Sequence, residues 1–520
     1  MRTDASMRTT ARPWGRGSSV PMVSPFPNTL ILGALLAALS SWGSSPGGMS
    51  LPAGTQTAPQ TRRSGSNPAI QVRATAVEVA SGRNGDSSLV SNPGDLGPYA
   101  IGHSSYMLAD PTVYARSVFV GVWYPVDSRS VGAHSPLAQY PLDPWTTMLP
   151  VSTSGDWERF GVDRAYEGLK PARPGHFPLL LVSPGLGVNY WFFIQFAVRV
   201  ASHGFVVAVV EHNGEYQWPW SPGFNELTEV MVRRPADISF AITQLLEKSG
   251  RHGELLFGAI DPDRIAMAGH SIGGYTAFAL AGGDDRVCDT LWASNYSGDT
   301  LPEPASTCVP ILPDRRIRAI VTMDGSSQLL RYEELARVEI PSLILGQTVE
   351  NTLTLEQNIG TWIARPHSAI GRRDSYRVDI LGGNHYSYTD ICEAGWEVLD
   401  QYGVLESVFG IDLPTILTFF PCASTGFDPV TIAPVNAHQI VATYTVAFLQ
   451  LFLKDADLLQ KIYDAWVLTP EFAKKHEPDV YFFRSEQCDA ALPGPGYFTY
   501  WVTPGQCDTW PKNPPDYFAP

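Results

Sequence analysis

The strongest constraint on the fold of this chain is a serine flanked by glycines between a strand pattern and a helix pattern. Residues 264–269 (RIAMAG) form an apolar run typical of a buried strand, and residues 272–282 have a helical pattern. The sequence GHSIG lies between them at 269–273. A strand-to-helix turn this tight has no room for side chains beside the serine, and it holds the hydroxyl out at the edge of a sheet. Ser271 is therefore a candidate nucleophile.

The rest of the chain alternates strand and helix patterns in the same way. Short β-branched, apolar runs separated by helical stretches favour a mostly parallel sheet covered by helices on both faces. The predicted fold class is α/β, with about eight strands. The predicted strands are 71–80, 116–126, 177–183, 204–211, 264–269, 317–324, 340–346 and 376–381. The predicted helices are 190–203, 234–248 with Pro235 in its first turn, 272–282 and 436–463.

Composition divides the chain into four segments. Residues 1–50 carry arginines ahead of a short apolar run and small residues, which is typical of an export signal, with a retained membrane anchor as the alternative. Residues 51–70 are rich in Pro, Gly, Ser, Thr and Gln and are predicted to form a flexible linker. We expect a catalytic domain over 71–465 and a Pro- and aromatic-rich extension packed on it over 466–520. The signal predicts a secreted or periplasmic protein.

The acidic balance argues against a nucleic-acid-binding protein. The formal net charge is −15, and no basic stripe follows residue 75, whereas nucleic-acid binders concentrate Lys and Arg to displace counterions from phosphates. With 44% hydrophobic and 17% charged residues, the composition is that of an ordinary globular protein. We expect no nucleic-acid partner, and the sequence leaves the oligomeric state open.

A nucleophilic serine needs a base that accepts its proton and a third group that orients the base. Among the eleven histidines, His385 is the best candidate, because it follows the strand predicted at 376–381 on a Gly-Gly-Asn loop. Such a loop returns the chain to the serine edge of the sheet. His270, beside the serine, is expected to be a packing residue.

Two carboxylates are candidates for the orienting group. Asp324 ends the strand predicted at 317–324, and Glu350 follows the next strand, four residues after Gly346. We expect Asp324 to contact His385, because it ends a β-branched run abruptly and a buried carboxylate there would hold the imidazole tautomer. Glu350 is the alternative acid. The order Ser, acid, His along the chain is that of the α/β-hydrolase fold.

Acyl transfer also requires hydrogen-bond donors for the developing oxyanion. These are usually the backbone N–H after the nucleophile and one N–H from a loop after an earlier strand. Here they are the amides of Ile272 and Leu186, the latter in the sequence SPGLG at 183–187. The glycines of this loop allow the backbone to approach a substrate closely.

Three segments of the chain resemble the platelet-activating factor acetylhydrolase family. They are SPGLG at 183–187, ASHGFVVAVVEH at 201–212 and GHSIGG at 269–274, and the resemblance spans most of residues 95–390. It implies a secreted serine esterase that cleaves short or oxidised acyl esters through an acyl-enzyme, with Asp324 as the acid. It also implies a small-molecule or lipid ester as the partner, transient contact with a lipid surface, and neither metal nor other cofactor.

The same motifs are similar to those of secreted bacterial cutinases and polyester hydrolases. Those enzymes carry the acid one strand later, at the place that Glu350 occupies, so this resemblance implies a polymer surface as the partner instead. Long inserts at 127–175 and 284–316 depart from both families and leave the substrate open. A general carboxylesterase, a peptidase or amidase, and a noncatalytic binding protein on a hydrolase scaffold are further alternatives.

Six cysteines, all in the second half of the chain, indicate disulfides in an exported protein. None has the Cys-x-x-Cys spacing of a zinc or redox site, so we expect no metal. Pairing between neighbours closes three loops of about 20 to 30 residues, each worth roughly 3 kcal/mol if unstrained. The predicted pairs are Cys288–Cys308, Cys392–Cys422 and Cys488–Cys507.

Peptide mapping without reduction tests this pairing. We expect three cross-linked peptide pairs, and reduction should lower activity before the domain unfolds, because the middle pair tethers the segment that follows His385. Three free thiols, or a link between Cys288 and either tail cysteine, would show that the pairing is wrong.

Overall fold

Ten strands form one sheet in the part of the chain that the structure describes. The structure is a computed structural model. It describes residues 93–109, 117–138, 140, 165–185, 188, 190–212, 224–285, 287, 309–327, 330–347, 359–390, 432–455, 458–477 and 479–484, with only the backbone at 224–231, 359–361 and 484. The strand predicted at 71–80 lies outside these residues.

The central six strands of the sheet run parallel, and antiparallel strands flank them. The strands are β1 (Ala100–Ala109), β2 (Ser117–Val126), β3 (Ala165–Glu167), β4 (Phe177–Ser183), β5 (Val206–Glu211), β6 (Ile260–His270), β7 (Ile317–Met323), β8 (Ser342–Gln347), β9 (Ser375–Ile380) and β10 (Val480–Arg484). Their order across the sheet is β10-β9-β8-β7-β6-β4-β5-β2-β1-β3. β5, β4, β6, β7, β8 and β9 are parallel, β2 is antiparallel to β5 and to β1, and β10 is antiparallel to β9.

Helices cover both faces of this sheet. They are α1 (Ile194–Ser202), α2 (Phe224–Gly250), α3 (Ile272–Gly282), α4 (Tyr332–Leu335), α5 (Arg365–Ile370), α6 (Pro434–Leu453), α7 (Leu458–Val467) and α8 (Pro470–His476). A 3₁₀ turn at Tyr190–Phe193 precedes α1, and a π-helical turn at Ile359–Ala364 precedes α5. None of the described helices is long and apolar enough to cross a membrane.

The apolar runs form central strands because a strand between two helical layers is covered on both faces, and every residue of β4, β5, β8 and β9 is buried. In β4, Leu180 and Val182 belong to the core under α1 and α6, whereas Leu179 and Leu181 belong to the core under α2 and α3. Successive side chains of a strand point to opposite faces, so an unbroken apolar run fills two cores at once. The predicted α/β class and the α/β-hydrolase arrangement of a mostly parallel sheet between two helical layers are confirmed.

Ten strands are described where the sequence predicted about eight. β1 was missed because its sequence, AIGHSSYMLA, is polar in the middle and half-exposed there. β3 has only three residues, and β10 lies in the segment that we expected to be an extension. All three lie at or near the sheet edges, where strands do not need the long apolar runs of central strands.

Two helix predictions also need correction. The helix predicted at 234–248 begins at Phe224, so Pro235 lies inside α2 rather than in its first turn. The single helix predicted at 436–463 is two helices, because the chain becomes extended at Lys454, where φ is −110° and ψ is 144°. The Lys454 Nζ donates to the His203 carbonyl at 2.7 Å, which ties the break to the end of α1.

The last described strand, β10, adds residues 480–484 to the edge of the sheet. β10 pairs with β9 from Val480 opposite Ile380 to Arg484 opposite Tyr376. The buried Phe482 ring lies 6.1 Å from the ring of Tyr376 and 5.8 Å from that of Tyr444 on α6. β10 therefore contributes side chains to the core as well as backbone hydrogen bonds to the sheet.

Phe482→Ala should lower the free energy of unfolding by about 3 kcal/mol, because it leaves a cavity among aromatic rings that are fixed by β9 and α6. Differential scanning fluorimetry and urea titration measure the loss. Leu458→Ala, at a side chain that is 72% exposed, is the control and should change stability by less than about 0.5 kcal/mol. Equal effects of the two substitutions would contradict a core role for β10.

Candidate active site

The turn that carries Ser271 is strained. Ser271 lies between β6 and α3 with φ of 54° and ψ of −122°, a conformation that residues with a Cβ rarely adopt. Such strain persists only where the surroundings hold the backbone, and it is common at functional sites. The Ser271 N–H donates to the Met323 carbonyl at 3.1 Å, and the Ser271 carbonyl accepts from the N–H groups of Gly274 and Ser326, both at 2.8 Å.

The glycines around the serine are required by close backbone contacts. A Cβ on Gly269 would lie 2.0 Å from the Gly273 carbonyl oxygen, and a Cβ on Gly273 would lie 1.9 Å from the Ser183 carbonyl oxygen. A Cβ on Gly274 would lie 2.2 Å from the Gly325 Cα. Because these neighbours are backbone atoms that cannot rotate away, no other residue fits without moving the main chain.

Asp324 lies at the end of β7 and contacts His385. Its side chain is fully buried, its backbone has φ of 44°, and its N–H donates to the Leu345 carbonyl at 2.8 Å. The Asp324 Oδ2 pairs with the His385 Nδ1 in a short contact. In neutral imidazole a carboxylate at Nδ1 keeps the proton there, so that Nε2 is the ring's acceptor.

A tight loop after β9 presents His385. Asn384 is buried, its Oδ1 accepts from the Tyr386 N–H at 2.9 Å, and its own N–H donates to the Ser387 Oγ at 2.9 Å. The Gly382 carbonyl accepts from the Ile432 N–H at 2.8 Å, which ties the loop to the residues before α6. The His385 side chain is 12% exposed, so it lies at the surface of the site rather than in the core.

His270 has a role that the sequence did not reveal, because we expected it only to pack. Its Nε2 lies 2.8 Å from the His385 carbonyl oxygen, and the two rings are 4.6 Å apart. Burial, and then the charge of His385, lowers the pKa of His270 well below its usual value. His270 is therefore neutral at physiological pH, and its Nε2–H donates to the backbone of His385.

The two predicted oxyanion donors differ in how far the structure describes them. Ile272 is the first residue of α3, where backbone N–H groups lack partners within the helix. Leu186 lies outside the described residues, but the loop before it passes the serine. A Cβ on Gly185 would lie 3.2 Å from the Ser271 Cβ.

The other predicted site residues, Glu350 and all six cysteines, lie outside the described residues. The structure therefore brings Asp324 to His385 and brings the backbone of His385 to His270, the neighbour of Ser271. Hydroxyl, imidazole and buried carboxylate at one sheet edge are the chemical groups used for acyl transfer.

One family model, described as chlorophyllase, matches residues 164–289. The matched segment runs from the residue before β3 to the residues after α3. It includes Ser271 and the loop at 183–187, and it ends before Asp324 and His385.

Two curated relatives carry the name platelet-activating factor acetylhydrolase. The protein from Canis lupus familiaris is 29% identical over 155 residues, which is 22% of this chain and 34% of that protein. The protein from Bos taurus is 28% identical over 148 residues, 21% of this chain and 33% of that protein. The chain is similar to each relative over about a third of the relative's length. This agrees with the resemblance inferred from the sequence.

Among solved structures, the chain is similar to a ferulic acid esterase from Streptomyces cinnamoneus. The TM-score is 0.44 at 21% sequence identity, and the alignment covers 74% of this chain and 97% of that chain.

Substitution of the two candidate acids distinguishes their roles. Asp324→Asn should lower kcat for p-nitrophenyl acetate by about 10³- to 10⁴-fold, because an amide stabilises neither the correct His385 tautomer nor its imidazolium form. Glu350→Gln, the matched control, should change kcat by less than about threefold. The reverse ranking would assign the acid to Glu350, as in the cutinase-like arrangement.

Proposed function

We propose that this chain is a serine esterase that hydrolyses carboxylic esters through an acyl-enzyme. The observation that carries the proposal is the contact between the buried Asp324 carboxylate and His385, at the sheet edge where Ser271 has a strained backbone. A carboxylate without solvent is costly unless it is paired and hydrogen-bonded, so an Asp324–His385 pair at this edge is well explained by a catalytic role.

In the acylation half of the proposed reaction, the Ser271 Oγ attacks the ester carbonyl carbon while the His385 Nε2 accepts the hydroxyl proton. Asp324 stabilises the imidazolium that forms. The N–H groups of Ile272 and Leu186 donate to the carbonyl oxygen as it becomes an oxyanion. The tetrahedral intermediate then collapses, the ester C–O bond breaks, and the alcohol leaves with the proton from His385.

In the deacylation half, water replaces the alcohol. His385, neutral again, accepts a proton from the water as the oxygen attacks the acyl carbon. The second tetrahedral intermediate expels the Ser271 oxygen, which takes the proton back from His385. The products are a carboxylic acid and the regenerated serine, and the cycle uses no group beyond the protein and water.

For the substrate we propose short-chain or oxidised acyl lipids. The names of the similar acetylhydrolases support an acetyl or other short acyl group. The contact of Asp324 with His385 also supports the acetylhydrolase-like arrangement over the cutinase-like one, whose acid lies one strand later. A polyester is the competing substrate, because the motifs at 183–187 and 269–274 are also similar to those of cutinases and polyester hydrolases.

We also propose that the protein is exported and acts as a secreted or periplasmic enzyme. The support is the pattern of residues 1–50, with basic residues, a short apolar run and small residues. In this proposal the linker at 51–70 precedes the catalytic domain, and the three predicted disulfides form after export.

A substrate panel with Ser271→Ala tests the function. The wild-type protein should hydrolyse p-nitrophenyl acetate and short-chain phospholipids faster than long-chain esters or a polyester film, and should not cleave p-nitroanilides. Ser271→Ala should lower turnover by about 10⁴-fold or more with folding unchanged, because no acyl-enzyme can form.

A fluorophosphonate should label the wild type at Ser271. The control is Ser128→Ala, at an exposed serine that is distant from Ser271 in the sequence. It should be labelled as fast as the wild type. Labelling that persists in Ser271→Ala would exclude this serine as the nucleophile. Release of soluble products from the polyester film, without cleavage of phospholipids, would favour the cutinase-like alternative.

A further inference from the structure

A second hydrogen-bonded set of serine, histidine and aspartate side chains lies in the core, next to Pro184 and Gly185. The Ser183 Oγ lies 2.8 Å from the His212 Nε2, and the His212 Nδ1 lies 2.8 Å from the Asp237 Oδ2. Ser183 ends β4, His212 follows β5, and Asp237 lies on α2. All three side chains are buried, with Ser183 0% exposed, so this serine is not open to a substrate.

Arg234 lies one turn before Asp237 on α2 and binds the same loop. Its guanidinium is buried, with Nη1 donating to the Pro184 carbonyl at 2.6 Å and Nη2 donating to the Gly185 carbonyl at 3.0 Å. The Nη1 also lies 3.4 Å from the Ser183 Oγ. Guanidinium is always charged and has donors in a planar fork, which suits it to holding two oxygen atoms in fixed directions.

A buried guanidinium of this kind is costly, so its position calls for an explanation. Removing a charge from water costs several kcal/mol, and hydrogen bonds to charged groups recover only part of that cost. A buried methionine or leucine would fill the same space without the cost. Its partners indicate what the charge is for, and they include the main-chain carbonyls of Pro184 and Gly185.

These carbonyls belong to a stretch of chain that passes close to Ser271. A Cβ on Gly185 would lie 3.2 Å from the Ser271 Cβ and 3.0 Å from the His270 Nδ1. The Ser183 carbonyl lies close to Gly273 at the start of α3. A Cβ on Gly273 would lie 1.9 Å from the Ser183 carbonyl oxygen.

The peptide group that Arg234 holds is the one that contains the predicted donor. The Gly185 carbonyl and the Leu186 N–H are two ends of a single planar peptide group. A carbonyl that is fixed in direction therefore fixes the direction of the amide. Donors that are aligned before the reaction stabilise an oxyanion without reorganisation, which is the main source of their catalytic effect.

We propose that Arg234, supported by Ser183, His212 and Asp237, is a positioning residue that aligns the Gly185–Leu186 peptide group for oxyanion stabilisation. This inference rests on the proposed esterase function. The Ser183–His212–Asp237 series is a support for the loop and not a second nucleophile. Ser183 and His212 connect the ends of β4 and β5 to Asp237 on α2, the helix that carries Arg234.

The test compares Arg234→Met and Arg234→Lys with Arg316→Met as the matched control. Arg316 also donates to a carbonyl of α2, that of Ser239 at 2.9 Å, and pairs with Asp314 at 2.6 Å, but it precedes β7 at the opposite end of the sheet. For each variant we would measure kcat and KM for p-nitrophenyl acetate, the rate of fluorophosphonate labelling, the inhibition constant of a trifluoromethyl ketone, and the melting temperature.

Arg234→Met should lower kcat and the labelling rate by about 10²-fold and weaken the trifluoromethyl ketone by a similar factor, with KM within about threefold of the wild type. The ketone binds as a tetrahedral adduct with an oxyanion, so a misaligned donor weakens it, whereas ground-state binding is spared. Arg234→Lys, with one ammonium in place of the fork, should lose about tenfold. Arg316→Met should lower the melting temperature only.

Several results would overturn the inference. They are a labelling rate in Arg234→Met equal to the wild type, a loss confined to KM, or a trifluoromethyl ketone that binds both proteins equally. Should Arg234→Met fail to fold, Arg234→Lys decides, and a lysine variant as active as the wild type rules the inference out. If the wild type itself neither cleaves esters nor reacts with the fluorophosphonate, the proposed function fails together with this inference.

Discussion

Close contact between three segments of main chain at the carboxyl edge of the sheet determines the geometry of the candidate site. β4, β6 and β7 are neighbours, with Ser183 paired to Gly269 and His270 paired to Met323. Just beyond these pairs, the start of α3 lies against the end of β4 on one side and against Gly325 on the other. Only residues without a Cβ permit such contacts. The position of Ser271 therefore follows from backbone geometry, and side-chain packing has little freedom to alter it.

Around this backbone framework the protein buries several charges. Asp324, Asp237 and Arg234 are each at most 1% exposed. Each of these side chains is hydrogen-bonded. His270, which precedes Ser271 and contacts the backbone of His385, is kept neutral by burial. In a region of low dielectric these groups interact more strongly than they would in water, and they change position less. The apolar strands supply the stability that allows the sheet edge to carry these polar groups.

The sequence predicted the features that depend on neighbouring residues. The strand, serine turn and helix at 260–282 are local, and the contacts that exclude a Cβ at Gly269 involve residues only a few positions away. The sequence favoured Asp324 over Glu350 only through its position at the end of a strand, because the contact with His385 joins residues 61 positions apart and has no local signal. Arg234 was missed for the same reason, since a buried and an exposed arginine on a helix have the same local pattern.

The edge strands were missed for a different reason. β1 alternates polar and apolar residues only in part, and β10 is defined by its partner rather than by its own sequence. Strands at or near a sheet edge need not be covered on both faces along their whole length, so they can lack the long apolar runs of central strands. Periodicity therefore carries less information there than in the centre of the sheet.

The pairing of β10 with β9 also constrains the order in which the chain acquires its structure. Synthesis proceeds from the N-terminus, so the other nine described strands are synthesised before residues 480–484. Until then the edge of β9 has unpaired backbone groups, which are a template for pairing with other chains. A nascent chain that stalls before this point has the serine turn, Asp324 and His385 but an open sheet. That edge is therefore covered only late, once a segment about a hundred residues after β9 has been synthesised and has paired with it.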